Sequence, residues 1–184
     1  MKFCRFLHFK LILLLSFVAF FLVDARAEPP KTVPFVDLSR FAGNWYQISH
    51  KPLFFEEKNC ACARQQLTAT SDPRVIGVFN SCNKSNATGE LQTIEGTAYN
   101  LDPATNAKFE VDFNLPFKGS YWVIGLDPDY RFTVVSDKHK YSLYILSKTP
   151  VLAPELYKEA LALAAEQLDI SKLVITDQEN CLYP

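Results

Sequence analysis

The sequence predicts an all-β protein, an antiparallel meander closed as a sandwich or barrel, with one helix near its end. Three observations predict it. Short β-rich runs recur at close spacing, turn chemistry separates them, and no long helical period appears until past residue 150 of 184.

The first stretch belongs to export and not to the fold. Lys2, Arg5 and Lys10 precede an apolar run, Leu11 to Val23, that is short for a membrane span and ends in Ala25-Arg26-Ala27. This predicts a signal peptide over 1–27 and a single domain over 28–184, a length sufficient for one buried core. The only cysteine near the apolar run, Cys4, lies ahead of it, so no lipid anchor is expected and the compartment is secreted or periplasmic. The leader takes four positive residues (Lys2, Arg5, Lys10, Arg26) and one negative (Asp24), leaving the remainder more acidic than the whole chain's −1. No basic stripe suited to nucleic acid survives.

Gly43-Asn44-Trp45-Tyr46 opens the first strand, with a glycine permitting close backbone approach and a large ring to fill one end of a β-structure. Leu67 to Thr70 and Val75 to Asn80 flank Ser71-Asp72-Pro73. Leu91 to Asn100 follows a polar loop, and Asp102-Pro103-Ala104-Thr105-Asn106 turns into Phe109 to Phe113. There Phe109, Val111 and Phe113 share a dry face while Glu110 and Asp112 face water. Tyr121 to Leu126 turns at Asp127-Pro128-Asp129 into Arg131 to Ser136, and Tyr141 to Ser147 completes eight runs. Pro154 and Glu155 begin an amphipathic helix with Tyr157, Leu161, Ala164 and Leu168 on one stripe, expected to dock outside the sheet. Leu173-Val174-Ile175 offers a further short strand.

Four cysteines remain after the leader, an even set that reads as two disulfides in an exported chain. Cys60-Ala61-Cys62 is tighter than zinc spacing and has no histidine beside it, so neither a metal nor any other cofactor is expected. If Thr70 faces Arg74 across a three-residue turn, counting outward puts Cys62 opposite Cys82, and a close antiparallel pair is within disulfide reach. A four-residue turn would shift this register by one. Cys60 is then left for Cys181.

Gly43-Asn44-Trp45-Tyr46, Tyr121-Trp122-Val123-Ile124 running into Leu126-Asp127-Pro128-Asp129-Tyr130, and Ile145-Leu146-Ser147-Lys148-Thr149-Pro150 occur in order at a spacing that resembles the lipocalin family. The resemblance extends from Phe41 to Cys181 and is nearest the branch of apolipoprotein D and the bacterial lipocalins. It implies an eight-stranded up-and-down barrel with one C-terminal helix outside, and a cup holding a small hydrophobic ligand such as a fatty acid or lysophospholipid. The branch's tail also implies Cys60 bridged to Cys181. Gly43, Trp45, Asp127, Tyr130 and Lys148 are then scaffold. Lys148 stands where the family has arginine, so the floor under Trp45 is expected to keep its cation but lose the planar fork.

Expected ligand contacts are Phe109, Val111, Phe113, Tyr121 and Tyr144 in the cup, with Phe54 and Phe55 as a lid or membrane-touching rim. A solid core filled by the same wall residues is the plainer alternative, as is ordinary loop packing for Phe54 and Phe55. Asn83-Lys84-Ser85 and Asn86-Ala87-Thr88 are glycosylation sequons. His50 and His139 lie beside no recognisable nucleophile motif, so the chain is not expected to be an enzyme. A scavenger of oxidised lipid, an interaction protein, or a lipocalin-type isomerase using an unpaired thiol in the cup are the competing readings.

Overall fold

The computed structural model describes residues 28–53 and 60–184. The signal peptide expected over 1–27 and the Phe54/Phe55 segment lie outside them. Helical turn α1 (Leu38–Phe41) precedes strands β1 (Gly43–His50), β2 (Cys60–Ala69), β3 (Val75–Lys84), β4 (Leu91–Asn100) and β5 (Lys108–Asp112). Strands β6 (Gly119–Leu126), β7 (Phe132–Ser136) and β8 (Leu143–Ser147), helix α2 (Pro154–Ala165) and strand β9 (Val174–Ile175) follow. Each of β2 to β8 pairs with its sequence neighbour, β8 pairs with β1, and β1 pairs back to β2, closing an eight-stranded antiparallel barrel.

Alternation sorts the walls. Leu67, Ile76, Val78, Ala98, Phe109, Val111, Val123, Val135 and Leu146 face inward with Trp45 and Phe41. Ile124, Phe132, Val134, Leu143 and Ile145 face outward and are covered by α2 through Ala160 and Ala164, with Leu168 just beyond the helix end. The helix therefore packs outside, as its stripe predicts. Ala160, absent from that stripe, is fully buried, because a small residue lets the helix approach the sheet. Pro at the start of α2 lacks an N–H that would have no intrahelical partner there.

The disulfides correct the expected pairing. Cys60 is bonded to Cys82 and Cys62 to Cys181, with Cα separations of 5.6 and 5.5 Å. Two local effects cause the exchange. The β2–β3 hairpin is in register one step from the expected one, with Ala69 opposite Ile76 and Arg64 opposite Ser81, and an irregularity between Ala61 and Arg64 then shifts the pairing again. Cys62 sits in that bulge with φ +55° and donates its N–H to the Asp177 carbonyl in the tail at 2.7 Å. Cys60 faces Lys84, placing it diagonal to Cys82 on one face. The tail is still tied across 119 residues, but by Cys62.

The tail also closes a seam. Strand β1 pairs with β2 only from Gly43 to Tyr46, after which β9 takes over the same edge at Ser49 and His50. Between them Gln178 Nε2 donates to the carbonyls of Gln47 and Ala63, both at 2.8 Å. Backbone groups that the parting strands would leave unpaired are satisfied by a side chain.

Candidate ligand cup and its wall

The floor of the cup is built on Gly43, whose φ of +99° is accessible to glycine at little cost and strained for a residue with a Cβ. That turn brings Trp45 into the barrel axis with no solvent exposure, its ring 5.1 Å from Phe41 and its indole N–H donating to the Phe41 carbonyl at 2.7 Å. Lys148 lies 4.2 Å from the Trp45 ring centroid and donates to the carbonyls of Ala42 at 2.7 Å and Phe41 at 3.3 Å. The lysine thus reaches two carbonyls even without a guanidinium fork. Burial lowers its amine to about 8.

Asp127 and Tyr130 belong to the same closed end. The Asp127 carboxylate, 2 % exposed, accepts from Arg131 Nη2 at 2.6 Å and Nε at 2.8 Å and from the backbone N–H groups of Asp129 and Arg131. Chiefly through the Arg131 contact, its pKa is held below the ordinary carboxylate range. Tyr130 adopts φ +63° and its hydroxyl accepts from the Asp37 N–H at 2.7 Å, anchoring the incoming chain under the barrel.

Above this floor a cavity is lined by Phe41, Gln65, Leu67, Ile76, Val78, Ala98, Phe109, Val111 and Tyr121. Among these side chains only about 10 Å³ admits the centre of a water-sized sphere. That is roughly one water's worth of room, so a larger guest must spread the wall. Phe109, Val111 and Tyr121, expected as ligand contacts, line this space. Phe113 packs against the core, with a Cβ built at Gly96 falling 2.6 Å from its ring, so glycine there makes room for the phenyl group. Tyr144 also joins the inner cluster and stacks on His50, with the rings 6.4 Å apart. Phe113 and Tyr144 do not line the deep cavity, and Phe54 and Phe55 are outside the described residues.

The sequence reading missed Gln65, Leu67, Ile76, Val78, Ala98 and Phe41 as lining. Alternation within Val75 to Asn80 carries the signal for Ile76 and Val78; nothing local marks Gln65 as inward. The Tyr121 hydroxyl donates to Gln65 Oε1 at 3.0 Å, and burial pushes the phenol's pKa up, so it remains a donor. Among the described residues no group of three His, Cys, Asp or Glu side chains converges in a way that would hold a metal.

A closed antiparallel barrel with an apolar interior and one plugged end defines a small-molecule binding protein of the cup type. Residues 36–178 match the family described as Lipocalin-like domain. The chain is 37% identical over 168 residues to the outer membrane lipoprotein Blc of Escherichia coli (strain K12), covering 87% of this chain and 92% of that one. It is 34% identical over 154 residues to temperature-induced lipocalin-1 of Arabidopsis thaliana, covering 79% and 81%. Apolipoprotein D of Rattus norvegicus is 30% identical over 163 residues, covering 84% and 82%. The solved structure of insecticyanin from Manduca sexta superposes with a TM-score of 0.66 at 24% identity, covering 85% of this chain and 88% of that one, a likeness of fold. This chain belongs to the lipocalin family, in the branch with apolipoprotein D and the bacterial lipocalins. Binding of small hydrophobic ligands is the property that membership implies.

Proposed function

We propose that the protein is an exported carrier of a small membrane-derived lipophile, with fatty acids, lysophospholipids and similar lipids as the first class to test. The observation that carries this reading is the apolar cavity between Phe41 and Tyr121 inside a closed barrel. Its lining is aliphatic and aromatic apart from Gln65 and the Tyr121 hydroxyl. Each Å² of ligand surface taken from water contributes about 25 cal/mol, so an acyl chain can bind without a charged anchor. Phe109, Val111 and Tyr121 hold the tail, Phe113 and Tyr144 lie beside it, and the Phe54/Phe55 loop is the proposed entry.

Two disulfides support an oxidising compartment, secreted or periplasmic, reached through a signal peptide cleaved after Ala27 and without an attached lipid. They also occupy Cys60, Cys62, Cys82 and Cys181, which favours a binding role over thiol-based catalysis. The mouth end supports peripheral membrane contact: Leu91, Leu115, Phe117 and Tyr141 are exposed on the strand end and loops there, beside Lys84, Lys118, Lys138 and Lys140. Native mass spectrometry of the purified protein, with lipid extraction, and titration with a fluorescent fatty acid test the carrier reading. No retained lipid together with no fluorescence gain would remove its support.

A further inference from the structure

Among the described residues of the inner wall, Gln65, Asn80 and Tyr121 form a polar patch beside the apolar cavity. Gln65 and Asn80 are cross-strand partners on β2 and β3, and both share the inward face, Gln65 with Leu67 and Asn80 with Val78. They lie between the apolar layer toward the floor and the Cys60–Cys82 bridge toward the mouth. Tyr121 reaches across from β6 to donate to Gln65 Oε1 at 3.0 Å. Asn80 Oδ1 is buried and has no hydrogen-bond partner among the described residues. A buried carbonyl oxygen left unpaired is costly, and a partner that supplies a donor recovers that cost.

We infer that this patch receives the hydroxyl group of an otherwise apolar ligand, making the preferred occupant a lipophilic alcohol and not an anion. The inference rests on the carrier reading above and narrows its ligand class. A hydroxyl is the group that both donates and accepts: its hydrogen meets Asn80 Oδ1, and its oxygen accepts from the Gln65 amide N–H, whose own Oε1 is held by Tyr121. An ionised carboxylate has no hydrogen for Asn80. It also finds no counter-charge in the deep cavity, because no Lys, Arg or His is among the described residues that line it and the Lys148 amine is already bonded to carbonyls under Trp45. Losing water there without gaining a cation is unfavourable.

The experiment uses the disulfide-bonded mature protein and displacement of the neutral dye N-phenyl-1-naphthylamine by 1-dodecanol, dodecanoate and 1-dodecene, a series differing only at one end of the chain. The expected result is that dodecanol displaces the dye at about fivefold lower concentration than either relative, the worth of one net hydrogen bond. In Gln65→Leu and, separately, Tyr121→Phe, the ratio of dodecanol to dodecene affinity falls toward one. Tyr121→Phe keeps the ring, so a folded variant is in hand should Gln65→Leu fail to fold. Dodecanoate equal to or tighter than dodecanol, or an alcohol preference that persists in both variants, overturns the inference while leaving a carrier. Failure of the dye and all three ligands to bind overturns the carrier reading itself.

Discussion

The Lys148 amine lies 4.2 Å from the centre of the Trp45 ring, and it and the indole N–H both donate to the carbonyl of Phe41. One backbone oxygen therefore joins the plug of the barrel to the strand that closes it. Lys148→Met removes the cation–π contact and two donors, and we expect a loss of about 1–2 kcal/mol in urea unfolding. Lys148→Arg should match or exceed the parent, since a guanidinium stacks on the ring and bonds both carbonyls at once.

The same lysine predicts an alkaline limb. Its folded value of about 8 lies below the 10.5 of an unperturbed lysine, so between those values the unfolded chain binds more protons than the folded one. Stability should therefore rise as pH increases from 8 toward 10, by a modest amount because the side chain is only half-buried. Urea midpoints across that range, compared between the parent and Lys148→Met, read the effect; an equal slope in both proteins would assign it elsewhere.

Asp127 predicts the acid limb with the opposite sign. Its carboxyl is held below 3.8, first by Arg131, so its contribution is present above that value and lost as pH falls through the depressed folded one. Asp127→Asn leaves the Arg131 guanidinium and buried N–H groups facing a neutral amide and should cost about 2–3 kcal/mol at pH 7. Denaturation curves at pH 7 and below pH 3 should show the gap between parent and variant narrowing with acid.

Non-reducing peptide mapping should recover Cys60 linked to Cys82 and Cys62 linked to Cys181. Removing the second bond in a Cys62→Ser/Cys181→Ser protein frees a loop of 119 residues, for which the chain-entropy model gives about 4–5 kcal/mol. The shorter loop of 22 residues is worth roughly 3 kcal/mol by the same relation. The tail variant should therefore show the larger drop in urea midpoint.

The two sequons should differ in use. Asn83 Nδ2 already donates to the carbonyls of Ala87 and Gly89, both at 3.1 Å, whereas Asn86 is exposed at the loop tip. Produced through a glycosylating secretory pathway, the protein should carry its glycan on Asn86, and intact mass should fall by one glycan in Asn86→Gln but not in Asn83→Gln.

Most of the barrel is legible in the sequence because each wall writes a period of two, as in Phe109-Glu110-Val111-Asp112-Phe113, and because turn residues separate the runs. The docking of α2 is legible for the same reason, from a period near 3.6. The cysteine pairing is not, since one extra residue at Cys62 reverses which thiol faces the tail, and alternation cannot report a bulge. Nor is the role of residues 33–41, whose Val36 and Phe41 plug the floor through contacts distant in sequence. Gln65 looks like a solvent-facing strand residue until β1 and β3 place it inside, opposite Trp45 and Asn80.

Because β9 and Gln178 cover the part of β1 that β2 abandons, the barrel is sealed by a segment that follows all eight wall strands in the chain. Until that segment arrives, β1 near Ser49 and His50 offers an open edge to any strand that meets it. The bond between Cys62 and Cys181 holds that cover against the wall, so the link that ties the segment down also ends the edge's exposure to neighbouring chains. A chain stopped before Val174 would keep its eight-stranded wall and remain open to intermolecular pairing along that one edge.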